Sequence, residues 1–349
     1  MITVAILGAG IGAQHLEAYR ALSHMFEVRI LVDHDTERAR DLDPALHIST
    51  EINDALNDPE IDVVDICLPP HLHVSTAIDA LAAGKHVICE KPIATSLADI
   101  ERLRAAIKES RAQYFPVFQY RFGPAFSALK RLISCGLAGN PQVASLETHW
   151  SRDGAYYAVP WRGTWTGEQG GAVLGHAIHI HDLLTHFMGP VRSLTASTAT
   201  RVNPIETEDC AAIAFDLTSG ALATSSITLG AASDETRLRL VFEGLTATSS
   251  TIPYAPATGQ WSFVARDAKQ QPDIDQIVFD ARDAKVGYLG AFEAIADALS
   301  GDAGGEVTFE DGAASIELVT AIYAAAQSGE RVTLPIAQSH KLFGGWRPI

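Results

Sequence analysis

The sequence predicts two domains, a doubly wound parallel α/β domain over residues 1–122 and an α+β domain over residues 123–349. Three observations support this division. A glycine-rich loop, Gly8–Ala13, separates an apolar strand from a helix, and short apolar runs then alternate with helical stretches as far as Gln119. After Pro124, alternating strands separated by turn residues dominate. The first two patterns are typical of a Rossmann domain, and the third is typical of an antiparallel sheet.

The composition indicates a folded protein of a reducing compartment. The 349 residues are 47% apolar and carry a net charge of −16, which argues against nucleic acid and against an anionic membrane surface as partners. The cysteines are widely spaced without a CxxC pair, so we interpret them as free thiols. No apolar run approaches the ~20 residues of a membrane helix, and no basic leader precedes the first strand. We therefore expect a cytoplasmic protein.

The glycine loop and the acid that follows it predict a dinucleotide site. Gly8 allows a tight turn, Gly10 lets the backbone approach a pyrophosphate, and Ala13 allows the helix to pack on the strand. The next strand ends at Asp33, where a carboxylate accepts hydrogen bonds from an adenosine ribose. Such a carboxylate repels a 2′-phosphate and favours NAD, whereas the nearby Arg38 leaves NADP open.

Strands and helices continue to alternate, which implies parallel strands joined by crossover helices. The predicted elements are a helix near 52–56, a strand at 63–68, a helix at 73–83, a strand at 87–89, a helix at 97–108 and a strand around 114–119. Gly84 is suited to end a helix, and Pro69 and Pro70 end a strand. We expect the loops at this sheet edge to line one crevice.

Gly84–Pro92 is the stretch around which the predicted site is organised. Its apolar strand stops at Glu90-Lys91-Pro92, because proline cannot donate to a sheet ladder. Lys91 is thereby held at the carboxyl end of a strand, where open α/β sheets bind their ligands. An ammonium fixed there is suited to hold a substrate hydroxyl. The alternative interpretation is a charge at a helix start that happens to follow a strand.

The pattern after residue 123 indicates an α+β domain. A helix is predicted at 125–134, and strands dominate from 143 to about 279. Examples of these strands are residues 211–217, 221–228, 237–242 and 261–264. Amphipathic helices near 291–299 and 311–327 close the domain.

A histidine-rich helix is predicted after the Gly170-Gly171 pair. Helical spacing places Gly175, His179 and Asp182 on one face, with His176 beside it. One alternative is that the histidines are ordinary polar residues of a helix. Another is that His176 and His179 share a metal ion. Since no HExxH pattern is present, we expect no metal.

A polar, aromatic stretch precedes this helix, and it is suited to binding a polyol. Tyr156, Tyr157, Trp161 and Arg162 offer aromatic faces for CH groups and a guanidinium for hydroxyls. The competing interpretation is a packing or oligomer loop.

Taken together, these motifs resemble those of the Gfo/Idh/MocA family of nicotinamide-dependent sugar and cyclitol oxidoreductases. The matching stretches follow the family's order nearly from end to end. They are the glycine loop continuing into Gln14–Arg20, Pro69–His73, Ala83–Pro92, Gln119–Pro124, Glu208-Asp209 and Ala321–Ala326. Pro70 and Gln119 each replace a family asparagine. The family's Asp-x-x-x-His-x-x-Asp pattern is matched at His179 and Asp182, but Gly175 stands in place of the first acid.

The resemblance implies a large open, mostly antiparallel sheet in the second domain, through which the chain forms a homodimer or homotetramer. It also implies hydride transfer between nicotinamide and a carbinol carbon of a sugar, sugar acid or cyclitol. The catalytic residues would be Lys91 and His179. The substrate-binding residues would be Lys91, Arg121, Tyr156, His176, His179 and Asp182. The motifs and the resemblance together give the cofactor-binding set Gly8, Gly10, Ile11, Gly12, Ala13, Asp33, His34, Arg38, Leu68, Pro69, His73, Glu90, Lys91, Gln119, Trp161 and Arg162.

Two other functions remain open at this point. One is a lyase or glycoside hydrolase on the same scaffold that holds NAD tightly through an oxidation–elimination–reduction cycle. The other is a nucleotide-binding regulator that catalyses no reaction. This alternative arises because Gly175 replaces the first acid of the family pattern. The retention of both Lys91 and His179 argues against the regulator.

Overall fold

The computed structural model describes residues 1–302 and 304–347, and the chain divides into two units. The first unit comprises Met1–Gln119 and Tyr288–Ile316, and the second comprises Tyr120–Gly287 and Glu317–Ile349. The sequence pattern assigns residues 288–316 to the carboxy-terminal domain. In the structure they pack with the first unit, where Phe292 stacks on Tyr19 with ring centroids 4.3 Å apart.

The first unit is built on a parallel sheet of six strands in the order β3-β2-β1-β4-β5-β6. Its strands are β1 (Ile2–Leu7), β2 (Phe26–Val32), β3 (His47–Ser49), β4 (Val63–Ile66), β5 (His86–Cys89) and β6 (Tyr114–Pro116). The helices between them are α1 (Gly12–Ala21), α2 (Thr36–Leu42), α3 (Ile52–Leu56), α4 (Pro70–Ala82) and α5 (Leu97–Glu109). This is the predicted doubly wound Rossmann arrangement.

Local chemistry explains these boundaries. The central strands are apolar and buried, as expected when helices cover both faces of a sheet. Ser96 caps the start of helix α5, because its side chain accepts a hydrogen bond from the Asp99 N–H. Helix α4 begins with Pro70 and is followed by Gly84 at a φ of +77°, the conformation that glycine adopts readily after a helix.

The second unit contains a sheet of eight strands in the order β13-β12-β11-β7-β10-β9-β8-β14. Only the β7–β10 pair among these described strands is parallel. The strands are β7 (Pro141–Ser151), β8 (Val191–Ala199), β9 (Cys210–Leu217), β10 (Leu222–Thr228), β11 (Gly230–Phe242), β12 (Leu245–Thr248), β13 (Ser262–Ala265) and β14 (Val332–Thr333). The predicted fold class is thus confirmed.

The remaining helices are α6 (Pro124–Ser134), α7 (Ile178–Met188), α8 (Gln271–Asp280), α9 (Gly287–Ser300) and α10 (Phe309–Ser328). The prediction of mostly strands up to residue 279 missed α8, which buries Ile274 and ends in the apolar run Ile277-Val278-Phe279, a pattern that resembles a short strand. Of the helices in the described residues, none combines the length and the apolar character needed to cross a membrane.

Candidate functional site

The glycine loop after β1 has the shape needed to bind a pyrophosphate. Gly8 has a φ of +104°, and a Cβ added there would lie 2.5 Å from the Cys67 carbonyl oxygen. A Cβ on Gly12 would lie 2.8 Å from a methyl group of Ile6, so glycine is required at both positions. Gly10, in contrast, has open space around its Cα. The loop is therefore packed on its inner side and open where α1 begins, which is the side that binds anions.

Asp33 is buried at the end of β2 and braces the glycine loop. One carboxylate oxygen accepts a hydrogen bond from the Ala9 N–H at 2.6 Å, and the other accepts from the Asp35 N–H at 2.8 Å. The Arg38 guanidinium contacts both oxygens, and the exposed His34 ring lies 3.1 Å away. Burial acts to raise the pKa of Asp33, but the backbone donors and Arg38 outweigh it and lower the pKa. The carboxylate is therefore ionised and suited to accept further hydrogen bonds.

His73 links two loops at the same sheet edge. One ring nitrogen lies 2.7 Å from the Leu68 carbonyl oxygen, and the other lies 2.8 Å from that of Pro92. The ring is 1% exposed, and burial lowers the pKa of His73. We interpret this predicted cofactor ligand as a support that fixes the loops of Leu68-Pro69 and Lys91-Pro92.

A buried polar network supports the Glu90-Lys91 dipeptide from within the first unit. Glu90 accepts hydrogen bonds from the Lys91 N–H and from the Tyr288 hydroxyl, and its carboxylate lies 3.2 Å from His15 Nε2. Gln119 donates to the same tyrosine hydroxyl. The backbone at Lys91 is therefore tied to the helix that follows the glycine loop.

The inner end of this network is a His–Asp–Cys cluster that the sequence motifs did not predict. His15 Nδ1 lies 2.8 Å from Asp65 Oδ2 and 3.3 Å from Cys67 Sγ, and the Tyr19 hydroxyl donates to Asp65. Burial opposes the charge on His15, but Asp65 and Cys67 raise its pKa well above the ordinary value. Burial also raises the pKa of Cys67 to about 12. These three residues are near enough to share a metal ion, but a hydrogen-bonded ion pair with a neutral thiol accounts for their geometry. The sequence feature that could have indicated this cluster is Asp65, an aspartate inside an otherwise apolar strand.

The histidine-rich segment of the second unit begins with a wide turn. Residues Val173–Ala177 form a π-helical turn, and α7 continues from Ile178. The prediction from the sequence assumed regular α-helical spacing, so the angular offset between Gly175 and His179 differs from the predicted one. Single π-turns of this kind are frequent at functional sites.

Glu208 holds the amino end of this segment. Its carboxylate accepts hydrogen bonds from the N–H groups of Gly171 and Val173 and from the Tyr323 hydroxyl. A Cβ on Gly171 would lie 1.9 Å from the Glu208 carbonyl oxygen, so the two chain segments touch. Burial raises the pKa of Glu208 from 4.5 to about 7 despite these donors.

This pKa predicts a pH-dependent stability. The folded chain retains the Glu208 proton up to a higher pH than the unfolded chain does, so raising the pH from about 4.5 to about 7 favours unfolding. As the pH rises through that range, we expect the free energy of unfolding of Glu208→Gln to increase by about 3 kcal/mol relative to that of the wild type, because the variant has no carboxyl group to ionise at this position. Calorimetric melting at pH 5 and pH 8 measures this difference. The exposed Glu206→Gln variant is the control, and an equal pH dependence of Glu208→Gln and the wild type would contradict the prediction.

His179 is buried against an aromatic ring of its own unit. Its ring stacks on Tyr120 with centroids 4.1 Å apart and planes 15° apart, and both side chains are 4% exposed. His181, two residues later, points to the sheet, where its Nε2 lies 3.1 Å from the Ser225 hydroxyl. Burial lowers the pKa of His181 to about 3, so this histidine is neutral.

The predicted substrate-binding residues Arg121 and Asp182 contact each other. The guanidinium donates two hydrogen bonds to the two carboxylate oxygens, at 2.7 and 2.5 Å. Both side chains are buried, at 7% and 2% exposure. This bidentate pair joins the turn before α6 to helix α7. Its acid, Asp182, lies about one helical turn after His179.

Tyr156, Arg162 and His176 form a second group of predicted ligands. The Arg162 guanidinium lies 4.0 Å from the centre of the Tyr156 ring and 5.4 Å from that of Trp161. The Tyr156 hydroxyl lies 3.3 Å from His176 Nε2, and burial raises the pKa of Tyr156. The structure thus brings this aromatic stretch and the histidine-rich segment together within the second unit.

Comparisons with known proteins agree with both units. Residues 2–118 match the family model described as "Oxidoreductase family, NAD-binding Rossmann fold", and residues 126–248 match the "GFO/IDH/MocA C-terminal domain".

Two curated relatives and one solved structure are similar to this chain. Levoglucosan dehydrogenase of Pseudarthrobacter phenanthrenivorans is 29% identical over 57% of the chain, and myo-inositol 2-dehydrogenase of Thermotoga maritima is 28% identical over 53%. These alignments span about half of the relatives, 54% of the length of each. The WlbA dehydrogenase from Bordetella pertussis, solved with NADH and UDP-GlcNAcA, has a TM-score of 0.84 and 29% identity and covers 96% of this chain and 99% of its own. The chain belongs to the Gfo/Idh/MocA family of oxidoreductases, and its first unit is that family's NAD-binding Rossmann domain.

Proposed function

We propose that the protein is an NAD(P)-dependent dehydrogenase that oxidises a CH–OH group of a sugar, sugar acid or cyclitol. The observation that carries the proposal is that one chain combines an NAD-binding unit, in which Lys91 follows a sheet strand, with a second unit that buries His179 in a polar, aromatic environment. The solved relative with NADH and a sugar-acid nucleotide supports the substrate class.

The residues of the first unit fit the cofactor. The open side of Gly10 and the start of α1 would hold the pyrophosphate, and the ionised Asp33 would hold the adenosine ribose. Bound NAD supplies the hydride acceptor. His179 takes the proton from the substrate hydroxyl, and Lys91 donates a hydrogen bond to the same oxygen as negative charge develops on it.

A panel of sugars, sugar acids and inositols with NAD tests the proposal through absorbance of the reduced nicotinamide. We expect at least one compound to produce NADH in proportion to the substrate oxidised. Consumption of substrate without release of NADH would indicate the oxidation–elimination–reduction cycle instead. NAD binding without turnover of any compound would contradict the proposed dehydrogenase.

Asp33 provides a test of cofactor choice. In Asp33→Asn we expect the KM for NAD to rise about 10-fold or more, because a charged acceptor for the ribose hydroxyls is lost. The preference for NAD over NADP should fall as well, since the carboxylate no longer repels a 2′-phosphate and Arg38 is released from its ion pair. Steady-state kinetics with both cofactors measure these changes. The exposed Asp41→Asn of helix α2 is the control, and an unchanged KM for NAD in Asp33→Asn would rule out this role.

We further propose that the protein is cytoplasmic and forms a homodimer or homotetramer through the eight-stranded sheet. Four free cysteines support a reducing compartment. Val143, Leu222 and Val264 lie on strands of this sheet and are 48%, 55% and 56% exposed, which supports association of that face with a second copy.

A further inference from the structure

The His15 ring lies between two carboxylates of the first unit, one at each of its nitrogens. Nδ1 is 2.8 Å from Asp65 Oδ2, and Nε2 is 3.2 Å from Glu90 Oε1. The ring is 0% exposed and is covered by the rings of Tyr288 and Phe292, whose centroids lie 4.5 and 5.1 Å away. From helix α1, the histidine thus joins strand β4 to the residue that follows strand β5.

The other hydrogen bonds of these two acids identify the charge of the ring. The Tyr19 hydroxyl and the Cys67 thiol donate to Asp65. The Tyr288 hydroxyl donates to Glu90 Oε1. Because both acids act as acceptors, each ring nitrogen carries the hydrogen of its own bond. The ring is therefore an imidazolium, and its complete burial is tolerated because a carboxylate pairs with it on either side.

Glu90 transmits this pairing to the lysine of the proposed site. Its Oε1 faces His15 and Tyr288, whereas its Oε2 accepts a hydrogen bond from the Lys91 N–H at 3.0 Å. A carboxylate is a rigid planar group, so contacts that fix one oxygen also fix the direction of the other. The histidine therefore acts at one oxygen of Glu90, and the backbone of Lys91 is held by the second oxygen.

We infer that His15 is a positioning residue that, as an imidazolium, fixes the Glu90 carboxylate and thereby the backbone from which the Lys91 side chain extends. This inference rests on the proposed function, in which the Lys91 ammonium donates a hydrogen bond to the substrate oxygen. A misplacement of about 1 Å in such a contact is enough to reduce the rate about 10²-fold. His15 also belongs to the helix whose start would hold the pyrophosphate, so one side chain ties the cofactor end of the unit to its lysine.

Asparagine and glutamine at position 15 separate the two contacts of the ring. Asparagine matches histidine as far as Nδ1 and can still donate to Asp65, whereas glutamine reaches as far as Nε2 and can still donate to Glu90. We expect kcat to fall about 10- to 100-fold in His15→Asn, the range for loss of a hydrogen bond to a charged group, and less than about 5-fold in His15→Gln. The KM for NAD should stay within about 3-fold of the wild type in both variants. Equal kcat values in the two variants would overturn the inference.

Hydrogen exchange gives a readout that needs no substrate. The Lys91 amide proton is protected by its bond to Glu90, so we expect it to exchange at least about 10-fold faster in His15→Asn than in His15→Gln. Both variants lose the same positive charge, so a general loss of stability would accelerate exchange similarly in both. Equal exchange at Lys91 would overturn the placement of His15. Separated exchange rates, together with failure of every compound in the wild-type panel, would support that placement and count against the proposed function.

Two tyrosines offer a matched pair of variants that keep the histidine. Tyr288→Phe removes the hydroxyl that donates to Glu90, and Tyr19→Phe removes the hydroxyl that donates to Asp65. We expect kcat to fall about 3- to 10-fold in Tyr288→Phe and to stay within about twofold of the wild type in Tyr19→Phe. This pair decides the question even where the histidine variants fail to fold. Equal losses of kcat in the two variants, or a larger loss in Tyr19→Phe, would overturn the inference.

Discussion

Lys91→Ala is expected to lower kcat by about 10²-fold or more while the affinity for NADH remains near that of the wild type. The ammonium would stabilise the charge that develops on the substrate oxygen, and a methyl group cannot replace it. The backbone around residue 91 is supported independently by Glu90 and Tyr288, so the strand end should survive the substitution. Stopped-flow or steady-state NADH formation measures the rate, and quenching of protein fluorescence measures NADH binding.

Two further variants make the Lys91 experiment specific. Lys91→Arg keeps the positive charge but replaces a compact ammonium with a wide planar group. We therefore expect its kcat to be at least about 10-fold below that of the wild type. Lys108→Ala removes a lysine from the last turn of helix α5 in the same unit and should leave turnover unchanged. If Lys91→Ala turned over at the wild-type rate, Lys91 would have no part in the reaction.

The second large effect is expected for His179→Asn, which should lower kcat by about 10²- to 10⁴-fold. Asparagine keeps a polar side chain at the stacked position beside Tyr120 but cannot exchange a proton at neutral pH. The affinity for NADH should be retained, because the nucleotide-binding motifs belong to the other unit. The measurement is kcat with the best substrate of the panel.

His186→Asn is the matched control, since His186 is an exposed histidine of the same helix α7. A kcat within about twofold of the wild type in His179→Asn would exclude this residue as the general base. The double variant of Lys91 and His179 adds information about cooperation. If both side chains act on one oxygen, the fold-decrease in kcat of the double variant should be smaller than the product of the fold-decreases of the two single variants.

Several features of the site were predictable because they depend on residues close in sequence. Glycine is required at positions 8 and 12 for steric reasons, and a strand ending at Asp33 follows from a local apolar run. Lys91 follows the buried strand β5, as the proline after it predicts. Each of these signals lies within one strand, one turn or one helix start.

Other features were not predictable, since they join distant positions. The Arg121–Asp182 pair links residues 61 positions apart, and both were predicted to bind the substrate. The Glu90–Tyr288 hydrogen bond spans 198 positions, and it explains why a helix far along the chain packs with the first unit. The π-helical turn at Val173–Ala177 also escaped prediction, because the residues have ordinary helical periodicity.

The sequence by itself determined the alternation of strands and helices in the first unit and the NAD-binding character of that unit, and from it we predict Lys91 and His179 as the catalytic residues. Periodicity, glycine sterics and strand ends are local properties, so they can be read without knowing the fold. Only the tertiary structure decided which polar groups pair with each other, such as Arg121 with Asp182 and Tyr288 with Glu90. Such assignments depend on distances between side chains that backbone pairing and packing bring together, and no spacing along the chain encodes them directly.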